Sequence, residues 1–96
     1  MNYKYHEDEI LQEIQNHIDS TYNQHYSNED GSQCFDIMRI SNCLFDYCKG
    51  NAFKYVTRYG EKDGYNRVDI LKAIHCLIIL LNESERLGLT KQQNDL

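Results

Sequence analysis

The stretch RVDILKAIHCLIILLNESERLG, Arg67 to Gly88, decides the fold. Val68, Leu71, Ile74, Leu77, Ile78 and Leu81 recur at three- and four-residue steps, the period of one helix face. Ile70, Ala73, Cys76, Ile79 and Leu80 widen that stripe almost to the full circumference. A helix apolar nearly all round must be covered on several sides. Asn66 stands where an N-cap belongs, and Gly88 where the chain turns out of the helix. The spacing predicts a helix over Arg67–Leu87, with a second copy of the chain as one of its covers.

Working outward, Glu61–Asn66 holds Asp63-Gly64 and reads as a turn. Gly60 is placed to stop the preceding helix, Cys43–Tyr59. Leu44, Phe45, Ala52, Phe53 and Val56 supply the apolar face of that helix, and Gly50-Asn51 marks a break or fresh start within it. Ser41-Asn42 offers its N-cap. Before it comes a short helix, Gln33–Ile40, with Phe35, Ile37 and Met38 as contacts. Asn23–Ser32 is rich in Asn, Ser, Asp and Gly and reads as a loop. Ile10, Leu11, Ile14, Ile18 and Tyr22 set a first helix over Glu7–Tyr22, with acids crowding its first turn. The chain has no proline and no repeat. The expectation is an all-α fold: one small four-helix domain over residues 1–96, assembled into a homo-oligomer.

Charge is unevenly spread along this chain of net charge −5. Residues 1–48 hold nine acids against two bases, whereas 49–72 hold six bases against three acids. The overall sign argues against a protein that coats DNA or RNA. A basic island in an acidic chain points instead to a local anion site. The longest apolar stretch, Ala73–Leu81, is broken by His75 and falls far short of the ~20 residues of a membrane span. The first residues lack the apolar core of a secretory signal. The four cysteines, Cys34, Cys43, Cys48 and Cys76, form no CxxC pair, and buried free thiols in the cytoplasm are expected.

On the third helix Asn51, Lys54, Tyr55 and Arg58 fall at i, i+3, i+4 and i+7, hence on one face. Lys62 follows just past the helix end. Lysine brings a point charge and arginine a two-pronged donor to phosphate oxygens. Asparagine can read a base edge or a ribose hydroxyl, and tyrosine can stack on a base. Gly50 allows close approach of the backbone to a ligand. Asp69 either pairs locally with Lys72 or orients Arg58 or Lys62 toward a ligand. His25-Tyr26, in the polar loop, can fold over it. The competing reading of the same face is a solvated basic surface. No phosphate-binding glycine loop, zinc-protease motif or nucleophile elbow is present. Glu61, Asp63 and Asp69 are the acids available to gather one ion, a thin site for phosphoryl transfer. No catalytic residue, metal or cofactor is assigned, and the residues fit binding better than turnover.

Five segments carry a resemblance: His25-Tyr26, Cys34-Phe35-Asp36-Ile37, Gly50–Arg58 (GNAFKYVTR), Glu61-Lys62-Asp63-Gly64 and Asp69–Ala73 (DILKA). Together, over residues 25–82, they resemble the small bacteriophage family called SaV-like, or phage nucleotide kinase-like. Ile70 stands where that pattern has leucine, and the turn before it is longer than in many members. The resemblance implies phage origin and nucleotide handling in the cytoplasm of an infected bacterium. It suggests a counter-defence protein that sequesters a cyclic oligonucleotide immune signal, a cyclic dinucleotide such as cyclic GMP–AMP, without turnover. Lys54, Arg58 and Lys62 would hold phosphates, Asn51 and Tyr55 would meet ribose or base, and His25 and Tyr26 would close over them. The alternatives are a deoxynucleoside monophosphate kinase and a structural or host-protein-binding module.

Overall fold

The computed structural model describes the backbone of residues 1–22 and 29–91, with side chains except those of 29–34. Among the described residues four helices follow in order: α1 (Glu7–Tyr22), α2 (Glu29–Ile40), α3 (Leu44–Arg58) and α4 (Arg67–Arg86). Among the described residues there is no strand, so the all-helical expectation holds. No described helix is long and apolar enough to cross a membrane. The described residues divide into two compact units, Met1–Ile37 and Met38–Leu96.

In the first unit, α1 has the predicted bounds. Glu7, Asp8 and Glu9 fill its first turn, where the exposed N–H groups and the helix dipole favour carboxylates. Ile14 is buried, whereas Leu11 and Tyr22 remain exposed. α2 begins at Glu29, four residues before the predicted start. Asp30, Gly31 and Ser32 disfavour helix only by fractions of a kcal/mol to about 1 kcal/mol each, which tertiary context overrides. The rest of the expected loop, with His25 and Tyr26, lies outside the described residues.

The second unit holds the α3–α4 pair. Ser41-Asn42 does not cap α3, as the sequence suggested. Instead Asn42 takes a left-handed conformation (φ 61°) and closes the end of α2. The Asn42 N–H donates to the Arg39 carbonyl at 3.1 Å and the Cys43 N–H to the Met38 carbonyl at 2.8 Å. These two bonds satisfy the last carbonyls of α2, and asparagine is the residue after glycine that best tolerates such a backbone. α3 then starts from Cys43 with no side-chain cap. It runs without interruption through Gly50-Asn51, so the predicted break is absent. One glycine costs about 1 kcal/mol in a helix interior.

A turn separates α3 from α4. Gly60 (φ 88°) is required twice over: by its backbone, and because a Cβ there would sit 2.6 Å from the Tyr65 ring. Tyr65 in turn meets Tyr59 edge-on, with ring centroids 5.3 Å apart. Asn66 caps α4 as predicted, its side chain accepting from the Val68 N–H at 3.0 Å. Gly88 (φ 72°) ends α4 with the same paired closure seen at Asn42.

α3 and α4 pack as an antiparallel hairpin. Arg58 at the end of α3 meets Asp69 at the start of α4, while Cys48 earlier on α3 feels Cys76 and Glu83 later on α4. Leu44, Cys48 and Ala52 on α3 and Leu71 and Ala73 on α4 are the buried apolar residues of this unit. The small residues among these let the helices approach closely. Here the predicted apolar faces shift. Phe53 and Val56 on α3, and Val68, Leu77, Ile78 and Leu81 on α4, are exposed. The line of α4 that is buried carries two carboxylates, Asp69 and Glu83. Of the predicted stripe Leu71 is buried and Ile74 half-buried, whereas the line facing α3 is held by buried ion pairs. Among the thiols, Cys48 is buried but Cys43 is exposed, against expectation. Burial, with Cys76 and Glu83 nearby, pushes the Cys48 thiol up to about 11.

Candidate functional site

α3 presents Lys54, Tyr55 and Arg58 on one flank because positions three and four apart lie one above the other. The start of α4 brings Asp69 and Lys72 to the same place. Tyr55 is half-buried, and three cations surround its ring. The Lys54 Nζ lies 4.7 Å from the ring centroid, the Arg58 guanidinium carbon 5.0 Å and the Lys72 Nζ 5.6 Å. An aromatic face attracts cations within about 6 Å, so the ring draws together charges that repel one another.

One carboxylate is bonded to this cluster, while Asp63 in the turn adds a through-space pull on Arg58. Asp69 is only 2% exposed. Arg58 donates from both Nε (3.1 Å) and Nη2 (2.6 Å) to the same oxygen, Oδ1. That hydrogen bond, more than any other cause, raises the Arg58 pKa above its ordinary value. The second oxygen, Oδ2, is buried without a hydrogen-bond partner. Asp69 sits in the first turn of α4, where the dipole steadies its charge. Three cations against the bonded Asp69 and the more distant Asp63 leave the cluster with a positive excess of one.

Of the sequence-predicted residues, Lys54, Tyr55, Arg58 and Asp69 come together. Asn51, half-buried, lies one turn before Tyr55 on the same flank. Lys62 stands exposed in the turn, its backbone N–H bound to the Arg58 carbonyl. Asp69 pairs across the turn with Arg58 and not with its neighbour Lys72. Among the described residues, no group of three acids, histidines or cysteines is placed to hold a metal, so Glu61, Asp63 and Asp69 do not gather one. Lys72 is the member that sequence reading left out of the site. Its i+3 step from Asp69 made it look like a local ion-pair partner.

A second ionic cluster went unseen in the sequence. Glu83, 2% exposed, accepts from Arg39 Nε (3.2 Å), Arg86 Nε (2.9 Å) and Arg86 Nη2 (2.6 Å). Hydrogen bonding to Arg86, above all, holds the Glu83 carboxyl below its ordinary value. The segment NESER reads as a polar helix end, and only the 44-residue span back to Arg39 makes it a buried site.

Residues 20–77, more than half of the chain, match the family model DUF3310, described as a protein of unknown function. The chain belongs to the DUF3310 family. All the predicted site residues, and Lys72, lie inside the matched segment, whereas Glu83 and Arg86 lie beyond it. No curated protein and no solved structure matches the chain.

Proposed function

We propose that this DUF3310 protein binds a phosphate-bearing nucleotide at the Tyr55 cluster and holds it without turnover. The observation that carries the reading is the ring of Lys54, Arg58 and Lys72 around Tyr55, with Asp69 as its single buried counter-ion. Arg58 is fixed in orientation by Asp69, so less of its rotamer entropy is lost when an anion binds. Lys54 and Lys72 add mobile charge, and Tyr55 supplies an aromatic body beside them. Lys62 adds a further phosphate contact from the turn, and Asn51 a base or ribose contact from the turn of helix before Tyr55. With no metal-holding group among the described residues, the cluster supports charge recognition more directly than phosphoryl transfer.

The finer reading rests on the sequence resemblance. The ligand is a cyclic oligonucleotide immune signal, a cyclic dinucleotide such as cyclic GMP–AMP, sequestered during phage infection. Calorimetry against cyclic dinucleotides and nucleoside monophosphates, with and without magnesium and ATP, tests it. Binding is expected, with the ligand recovered chemically unchanged. Arg58→Ala and Lys72→Ala should each weaken binding about tenfold or more, the range for a charge-assisted bond. No heat with any nucleotide would falsify the reading and leave a structural or protein-binding module. A monophosphate converted to diphosphate would establish a kinase instead.

A further inference from the structure

The α3–α4 hairpin has two unlike sides. Each helix residue advances about 100° around its axis. Measured from the buried line of α3 (Leu44, Cys48, Ala52), Lys54 and Arg58 are rotated one way, and Phe53 and Val56 the other. On α4, Lys72 is rotated one way from the line of Asp69, Ala73 and Glu83, while Leu77 and Leu81 are rotated the other and Ile78 stands beyond them, opposite that line. In an antiparallel pair, residues rotated in the same sense share a side. The contact of Lys72 with Tyr55 confirms this for the basic flank. The opposite side therefore carries Phe53, Val56, Leu77 and Leu81 together, with Ile78 at its outer edge, each between 46% and 73% exposed. Single exposed apolar residues need no explanation, but five on one side of a hairpin mark an interaction surface.

We propose that this apolar side seats the same side of a second copy of the chain, two hairpins forming a four-helix bundle about a two-fold axis. Three observations choose that occupant. First, the described core of the second unit has only two buried large aliphatic side chains, Leu44 and Leu71. Two-helix hairpins of this size gain most of their stability from packing that one hairpin does not provide. Second, the surface suits an identical partner. The charged residues beside it, Asp46 and Lys49 on α3 and Arg67 and Glu85 on α4, balance in sign, so identical faces meet without net like-charge repulsion. Third, its extent is right. α4 is about 30 Å long and two helices are about 20 Å wide, or roughly 600 Å² in projection, close to the ~800 Å² per partner of a standard interface. The arrangement turns both Tyr55 clusters outward, giving two separate ligand sites per dimer and none shared across the axis.

Sedimentation of the full chain over a range of concentrations tests the proposal. A dimer is expected, with a thermal midpoint that rises with protein concentration. Phe53→Glu and Ile78→Glu enter the interface twice by symmetry, and each should raise the dimer dissociation constant about a hundredfold or more. Lys54→Glu, on the other side, should leave it unchanged. A chain that sediments as a monomer at every concentration overturns the proposal, whether its own N-terminal unit or a foreign partner covers the face. So does a dimer that survives Phe53→Glu and Ile78→Glu but is lost in Lys54→Glu. If the glutamate variants fail to fold, the wild-type midpoint decides: independence from concentration rules the dimer out.

Discussion

The two ends of α4 each bury a carboxylate, and they treat it differently. At the far end Glu83 has both oxygens bonded, by two arginines reaching it from α2 and from α4 itself. At the near end Asp69 receives two bonds on one oxygen from a single arginine and leaves the other oxygen unpartnered. The residues lie about 21 Å apart along the helix. A fully satisfied buried ion cluster fixes geometry. An incompletely satisfied one, with two further cations around a neighbouring ring, is built at a cost to stability that structure alone does not recover. The Glu83 end therefore reads as a staple, and the Asp69 end as a place where something else binds.

The sharpest way to break this contrast is to strip each carboxylate of its arginines. Arg39→Ala with Arg86→Ala leaves Glu83 buried and unpaired, a change that should lower the thermal midpoint by roughly 10–20 °C. Arg58→Ala should lower it less, because Lys72, one turn along α4, is exposed and near enough to move toward Asp69. Equal losses at the two ends would remove the distinction. Next in size is the effect of Asp69→Asn on nucleotide affinity. If Asp69 orients Arg58, affinity should fall about tenfold or more despite the lost negative charge. If it merely neutralises the cluster, calorimetry will show affinity rising.

Acid titration probes the Glu83 end by itself. The Glu83 carboxyl is held below its ordinary value of 4.5. Its contribution is therefore complete above that value and is lost as pH falls through the lower, folded-state pKa. Stability of the wild type should drop below about pH 4.5, and Glu83→Gln should flatten that part of the curve while lowering its plateau. Denaturant midpoints across roughly pH 3–7, read in about half-unit steps, would show it; an unchanged acid slope in Glu83→Gln would mean that other carboxylates dominate.

Helix existence was legible in the sequence because periodicity and caps act locally: α1, the Asn66 cap and the Gly88 stop came out as read. What failed was non-local. Asn42 had two neighbouring helix ends to serve, and sequence alone does not say which one takes it. The buried line of α4 was missed because the apolar count pointed to the flank that the hairpin leaves exposed. The cation cluster was half legible. Lys54, Tyr55 and Arg58 share a helix and so share a period, whereas Lys72 joins them only once the turn at Gly60 folds α4 back. Glu83 gave no signal, since Arg86 is an ordinary i+3 neighbour and its other partner, Arg39, lies 44 residues away.

The smallest expected effect concerns α3, the helix packed against α4. Gly50 lies in α3, and a Cβ added there would meet nothing within 4 Å, so alanine fits without displacement. Its φ is not in the left-handed region, so no backbone reason retains glycine. Gly50→Ala should therefore stabilise the chain by about 0.5–1 kcal/mol, through the lower entropy of the unfolded state. Nucleotide affinity is the discriminating measurement. If α3 serves only as a continuous helix packed along α4, affinity is unchanged. If the glycine serves a bend or a close backbone approach on binding, the more stable variant binds more weakly, and the two ends of α4 are not independent after all.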